Sequence, residues 1–203
     1  MIAEGRKMIE QIQAYVKEAF GKADIERYGE AYFHEHHIMP AYAIAMELAK
    51  KYEADEEIVG ISVLLHDIGL IGRPEGRGHD VFGAEKAAGI LKEMGLSEDT
   101  IERVTHCIRY HDAHDGDPES VEGKVVCTAD ALSHIMTPWF IVKSRYSDRP
   151  MDAYLVWCRK KLEKDFNRLQ FEDERERARP TYECWKRVLD GMGHDGCSGL
   201  KGL

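Results

Sequence analysis

Apolar residues recur three and four positions apart along almost the whole chain, and no run of alternating β-branched residues bounded by turns breaks that rhythm. The pattern predicts an all-α fold. A first helix is expected over about 3–20, stopped near Gly21, and a short second one over 24–32. A third starts around His37, with Pro40 tolerated in its first turn, and runs to about Tyr52. The next opens after Asp55 with Glu56 and Glu57 at its positive end. It carries the apolar run Ile58 to Leu65 and is expected to end near Gly69, buried on all sides. A Gly- and Arg-rich loop over 69–79 is suited to a lid or a phosphate contact. Further helices are expected over about 80–94, 97–111, 119–135, 152–168 and 172–189. Pro138 and Pro150 punctuate the chain, and a glycine-rich tail over 192–203 is expected to be loose.

At 203 residues, against about 150 for an average domain, a single domain over 1–203 is expected. Hydrophobic residues at 43% and charged residues at 32% exclude a disordered or collagen-like chain. The net charge of -9 gives no footing for nucleic acid as the main partner. Carboxylates that hold a metal would nonetheless count as anions in that sum. Five widely spaced cysteines without a C-x-x-C pair exclude a disulfide framework and a thiolate zinc site, and fit a reducing cytoplasm. No stretch approaches the ~18 uninterrupted apolar residues that span a bilayer, and Glu4, Arg6, Lys7 and Glu10 do not form a signal-peptide pattern. Neither membrane nor secretion is expected.

The candidate chemistry lies in polar residues on apolar stripes. His37 continues the stripe Ala41, Ile44, Leu48 and should point inward. His66 falls on Val59, Val63, Leu70 in the most apolar helix, with Asp67 directly after it. An unpaired carboxylate there would cost several kcal/mol, a cost removed if Asp67 binds a cation beside a neutral imidazole. His111 extends Ile101, Val104, Ile108, whereas His106 on the same helix is turned away. Asp130 sits among Val125, Val126, Ala129 and Leu132, with His134 one turn further on. His79, at the end of the Gly-rich loop, is a less constrained candidate. The His-Asp dipeptide occurs five times, at His66, His79, His111, His114 and His194, so it identifies no site by itself. The bland alternative for each inward histidine is a hydrogen-bonded core residue.

The arrangement His37, His66-Asp67, Asp130 resembles the H...HD...D signature of the HD-domain superfamily of metal-dependent phosphohydrolases. Leu64 to Gly69 is similar to the family's LLHDIG core, 37–49 to its first ligand helix, and Thr128 to Leu132 to its closing aspartate segment. His79, followed by Gly83-Ala84, and His111 match the two further histidines of binuclear members. The resemblance implies a helical HD core over about 30–136, with an N-terminal helix and a C-terminal helical extension over about 137–191. It implies that His37, His66, Asp67 and Asp130 hold one divalent transition metal, and His79 and His111 a second, with Asp67 bridging. Fe, Mn, Co, Ni or Zn suit such ligands. His66 and Asp67 would stand at the catalytic centre, where two cations about 3.5–4 Å apart activate a hydroxide against a phosphoryl group. The expected substrate is a small phosphorylated molecule, with a nucleotide as the default. Leu70 departs from the Lys or Arg that many members carry after HDIG. Arg73, Arg77, Lys143 and Arg145 are the candidate phosphate contacts, and His134 a further one. Two other readings stay open: an HD-fold diiron oxygenase, and a non-catalytic module stabilised by metal or sensing a nucleotide. Trp139, Phe140 and Trp157 are candidates for core packing or a homodimer interface.

Overall fold

The computed structural model describes residues 2–114 and 116–191; the tail expected to be loose lies outside the described residues. Every regular element among the described residues is helical, so the fold is all-α. The first segment is one long helix, α1 (Ile2–Tyr28), rather than two. Gly21 does not stop it, because a single glycine costs a helix only about 1 kcal/mol. That cost is offset by the buried stripe Ile12, Val16, Phe20, which anchors the helix on both sides of its middle. After α1 the Asp24 carboxylate accepts the backbone N–H groups of Tyr32 (2.9 Å) and Phe33 (2.8 Å), turning the chain into the next element.

That element begins before His37 as a π-helical turn, His34–Ile38, and runs on into α2 (Met39–Lys51). Asp55 then caps α3 (Glu56–Leu65), accepting from the N–H groups of Glu57 (3.1 Å) and Ile58 (3.2 Å). All residues of α3 from Ile58 to Leu65 are buried. It ends four residues earlier than the apolar run suggests, and a 3-10 turn, Ile68–Leu70, follows. The cause is close packing: a Cβ on Gly69 would lie 2.0 Å from the carbonyl oxygen of His79 and 2.6 Å from the Gly83 nitrogen. The chain must leave the helix there to meet the start of α4 (His79–Glu93) backbone to backbone.

Ser97 and Ser120 cap α5 (Glu98–Tyr110) and α6 (Val121–Ile135). Helix α6 is buried from Val125 to Ile135 and lies against α2, α3 and α5, forming the middle of the bundle. Beyond it come α7 (Trp139–Arg145), a helix the proline spacing does not suggest, then α8 (Met151–Asn167) and α9 (Glu172–Gly191). Helices α8 and α9 pack on each other and on α6. Trp139 and Phe140 are buried in the core, while Trp157 is half-buried against Phe140. No single helix among the described residues is long and apolar enough to cross a membrane.

Candidate metal centre and its cleft

Six side chains from five segments meet beside α6. His37 comes from the π-helical turn, His66 and Asp67 from the end of α3, His79 from the first residue of α4, His111 from the end of α5 and Asp130 from α6. All but His79 are buried. Helix ends supply four of the six, because a terminal residue can aim its side chain along the bundle.

The atoms that converge are imidazole nitrogens and carboxylate oxygens, the kinds that can ligate a metal. His37 Nε2 lies 3.1 Å from His66 Nε2, 3.1 Å from Asp67 Oδ2 and 3.3 Å from Asp130 Oδ1. His66 Nε2 is 3.4 Å from both Asp67 Oδ2 and Asp130 Oδ1. On the other side, His79 Nε2 is 3.3 Å from His111 Nε2, and Asp67 Oδ1 is 3.5 Å from the first and 3.8 Å from the second. The two oxygens of Asp67 therefore face two different groups of histidines.

The backbone orients these rings. His66 Nδ1 donates to the Val63 carbonyl at 2.7 Å and His111 Nδ1 to the Ile108 carbonyl at 2.6 Å. With a proton fixed on Nδ1, Nε2 is the atom turned to the shared space, the one a metal would take once it carries no proton. His37 Nδ1 lies 3.2 Å from the Ser133 hydroxyl. The Gly69–Gly83 contact brings α4 against the HDIG turn, and an Asp80–Arg109 ion pair ties α4 to α5; together they hold His79 beside His111.

Electrostatics point the same way. Burial holds the His37 imidazole down to about 4, against the pull of Asp67 and Asp130. Burial, with His66 adding repulsion, does the same to His111, again to about 4. For His66 burial also opposes charge, but Asp67 and Asp130 outweigh it and raise it to about 10. Both carboxyls are held well below their usual range, against burial: Asp67 chiefly by His66, Asp130 chiefly by Arg168. Asp130 Oδ1 is buried without a hydrogen-bond partner, a costly state that a cation would relieve. Two donor groups have the spacing a metal ion needs, His37–His66–Asp130 and His66–Asp67–His111. The residues fit divalent metals.

A cleft of about 480 Å³ opens onto this centre. Asp67, His79, His111 and Asp130 lie at its floor, and Arg73, His134 and Lys143 line its walls. Burial lowers the Lys143 ammonium, which donates to the Tyr32 hydroxyl at 2.8 Å. Arg77 and Arg145 stand outside the cleft. Arg77 is paired with Glu85, and Arg145 with Glu30 at 2.6 Å, so both are spent on surface carboxylates. Leu70, where a basic residue is common in the family, is a half-exposed apolar wall.

Sequence reasoning missed the contribution of α8. Lys160, Lys161 and Lys164 line the cleft, Lys164 held by Asp112 at 2.8 Å and Lys161 by Asp165 at 2.8 Å. Arg168, just past α8, is buried and bonds Asp130 Oδ2 at 2.6 Å. A signal for these existed. Asp165 continues the stripe Tyr154, Cys158, Leu162, the same anomaly of a carboxylate on an apolar face that marks Asp130.

Residues 35–135 match the HD domain family. The chain belongs to the HD-domain superfamily. Among solved structures, a predicted HD superfamily hydrolase from an uncultured Thermotogales bacterium is 25% identical, with a TM-score of 0.61 over 91% of this chain and 92% of that one. An HD-superfamily hydrolase from Bacillus thuringiensis shares the fold at 21% identity, TM-score 0.66, over 92% and 95% of the two chains. Bacillus subtilis YpgQ in complex with ADP does so at 22% identity, TM-score 0.64, over 98% of each. A stretch of 59 residues is 46% identical to an uncharacterised protein of Methanocaldococcus jannaschii. It covers 29% of this chain and 32% of that protein, so the chain matches about a third of the length of this curated relative.

Proposed function

We propose that this protein is a metal-dependent phosphohydrolase that cleaves a phosphoester or phosphoanhydride of a small molecule, with two divalent transition metals per chain. The observation that carries this reading is the division of Asp67. Its Oδ2 faces His37 and His66 while its Oδ1 faces His79 and His111, the arrangement of a carboxylate shared by two cations. His37, His66, Asp67 and Asp130 would hold one, and Asp67, His79 and His111 the other. When bound, such a pair supplies Lewis acidity and lowers the pKa of a water.

The chain's own residues do the rest. Arg73, Lys143 and Lys160 present positive charge along the cleft and would hold and orient the phosphate oxygens. Trp139 and Leu70 make apolar walls that limit water around the reacting group. His134, stacked parallel on His37 at 4.7 Å, turns Nδ1 to Asp165 at 3.1 Å and Nε2 toward Asp130 Oδ1 at 3.7 Å, at the edge where a phosphate oxygen would approach the metals. The hydrolase descriptions of the related structures support this class of reaction. The ADP complex of YpgQ supports a nucleotide as the first substrate class to test.

The test combines metal content with turnover. Protein purified without chelator is expected to hold two metals per chain and to release phosphate from a panel of nucleotides and aryl phosphates. His79→Ala and His111→Ala should fall to about one metal and lose that release. Two irons with oxygen consumption and no phosphate release would instead establish the oxygenase. No metal in a stable protein would reduce the centre to a buried polar core.

A further inference from the structure

Residue 168 lies beyond the stretch that matches the HD domain, yet its side chain enters the metal-ligand set. The Arg168 guanidinium spends all three nitrogens inside the protein. Nη2 donates to Asp130 Oδ2 at 2.6 Å and to Asp165 Oδ1 at 2.8 Å, and Nε to the same Asp165 oxygen at 3.0 Å. Nη1 donates to the carbonyl of His111 at 2.7 Å and to that of Cys127 at 3.4 Å. A buried cation is tolerated only when paired and hydrogen-bonded this fully, and a planar fork suits the task better than an ammonium.

Two of these bonds reach metal-ligand residues. By taking Asp130 Oδ2, Arg168 leaves Oδ1 as the one oxygen free to ligate, directed toward His37 and His66. Through the His111 carbonyl it fixes the backbone of a residue in the opposite half of the centre. Asp165, fully buried, braces the guanidinium and also faces His134 Nδ1.

We propose that Arg168, braced by Asp165, is a positioning residue of the metal centre, holding Asp130 to single-oxygen ligation and His111 in register so that the C-terminal extension sets the donor geometry of both halves. The inference rests on the metal-centre reading above. It makes a prediction of definite sign. A cation beside a ligand carboxylate weakens metal binding by charge alone, so its removal would tighten binding if charge were its whole effect. If position matters more, removal loosens binding, by the 10–100-fold typical when the partner of a ligand is lost.

The experiment titrates Co2+ into chelator-treated full-length protein, following visible absorption and heat of binding, with thermal unfolding of the metal-free samples alongside. Arg168→Met is expected to weaken Co2+ binding roughly 10–100-fold and to change the absorption band of the bound ion. Arg168→Lys, which keeps the charge without the fork, should recover less than half of that loss on a logarithmic scale. Asp165→Asn should weaken binding less than Arg168→Met. Trp185→Phe is the control: its indole donates to the Ile135 carbonyl at 3.1 Å, so the change should loosen the same extension and lower the melting temperature with Co2+ affinity unchanged. Unchanged or tighter binding in Arg168→Met would overturn the proposal; if that variant does not fold, unchanged binding in Arg168→Lys would do so. A wild-type protein that takes up no Co2+ would overturn the metal centre itself and this inference with it.

Discussion

Between residues 35 and 135 the chain contributes the candidate metal ligands, and between 139 and 191 most of the cations around them. In the first region six side chains turn nitrogen or oxygen into one space, and main-chain carbonyls of Val63 and Ile108 set the direction of two rings. In the second, α8 and its C-cap residue deliver Lys160, Lys161, Lys164 and Arg168 to the same place, the last three held by Asp165, Asp112 and Asp130. Ligands fixed by backbone need precise helix ends. Charges fixed by other charges need only a helix that packs in the right place. The two regions should therefore fail differently: the first by small displacements of backbone, the second by loss of particular cations.

The largest effect should come from backbone displacement in the first region. In Gly69→Ala the new Cβ would meet the His79 carbonyl at 2.0 Å, and two backbones, not a flexible side chain, must move. The expected cost is about 1–3 kcal/mol, together with loss of the metal held by His79 and His111. Gly89→Ala, within the helix α4 that Gly69 packs against but with open space around it, should be neutral or stabilising by up to about 1 kcal/mol. Calorimetric unfolding and metal analysis of the pair decide the matter. Equal melting temperatures and equal metal content would show that the close packing of the HDIG turn does not position the site.

The first region was readable in the sequence because its chemistry sits where helical periodicity is violated. His37, His66, His111 and Asp130 each place a polar group on an apolar stripe, Asp67 follows His66 directly, and the spacing between them resembles a known family. Helix ends were less readable. The apolar run into Gly69 hides the break after Leu65, because that break answers to packing against α4 across the loop, and not to local propensity. Gly21 misled in the opposite direction, since burial of α1 on both sides outweighs one residue's preference. The cations are harder to read: Arg77 in the loop 69–79 and Arg145 on α7 stand out by composition, yet both are paired with surface carboxylates. Arg73 and Lys143, expected from the sequence, do line the cleft, but Lys160, Lys161 and Lys164 join them from a helix whose placement over α6 is a tertiary fact.

Within the first region the histidines differ from one another in pH response when metal is removed. His37 and His111, held down to about 4 by burial, are neutral in the folded protein where the unfolded chain, with an ordinary value of 6.5, takes up protons. Their contribution is present above pH 6.5 and lost as pH falls toward 4. His66 behaves oppositely: raised to about 10 by Asp67 and Asp130 against burial, its contribution is full below pH 6.5 and lost as pH rises through 10. Chelator-treated protein should melt highest near neutral pH and lower at both about pH 4.5 and about pH 9.5, where most of each contribution has gone. Metal-loaded protein should keep its melting temperature on the alkaline side, since ligation needs His66 without its Nε2 proton. A metal-free melting temperature that climbs steadily through pH 9.5 would show that His66 is not held charged.

The smallest effects should separate the cations inside the cleft from those outside it. Lys160 lines the cleft with no carboxylate partner within ion-pair distance among the described residues, so an anionic substrate would gain most from it. Lys160→Ala is expected to raise KM for a nucleotide about tenfold, the worth of one charge-assisted hydrogen bond, with kcat little changed. Lys164, already neutralised by Asp112, should cost less. Arg77→Ala and Arg145→Ala remove exposed pairs of the kind worth about 0–1 kcal/mol, and should leave KM within about twofold. Raising salt should shrink the Lys160 effect, because the charge stands in solvent. If Arg77 or Arg145 proved as important as Lys160, the loop 69–79 or α7 would have to swing over the cleft with substrate bound, and the division of labour between ligand core and cationic extension would no longer hold.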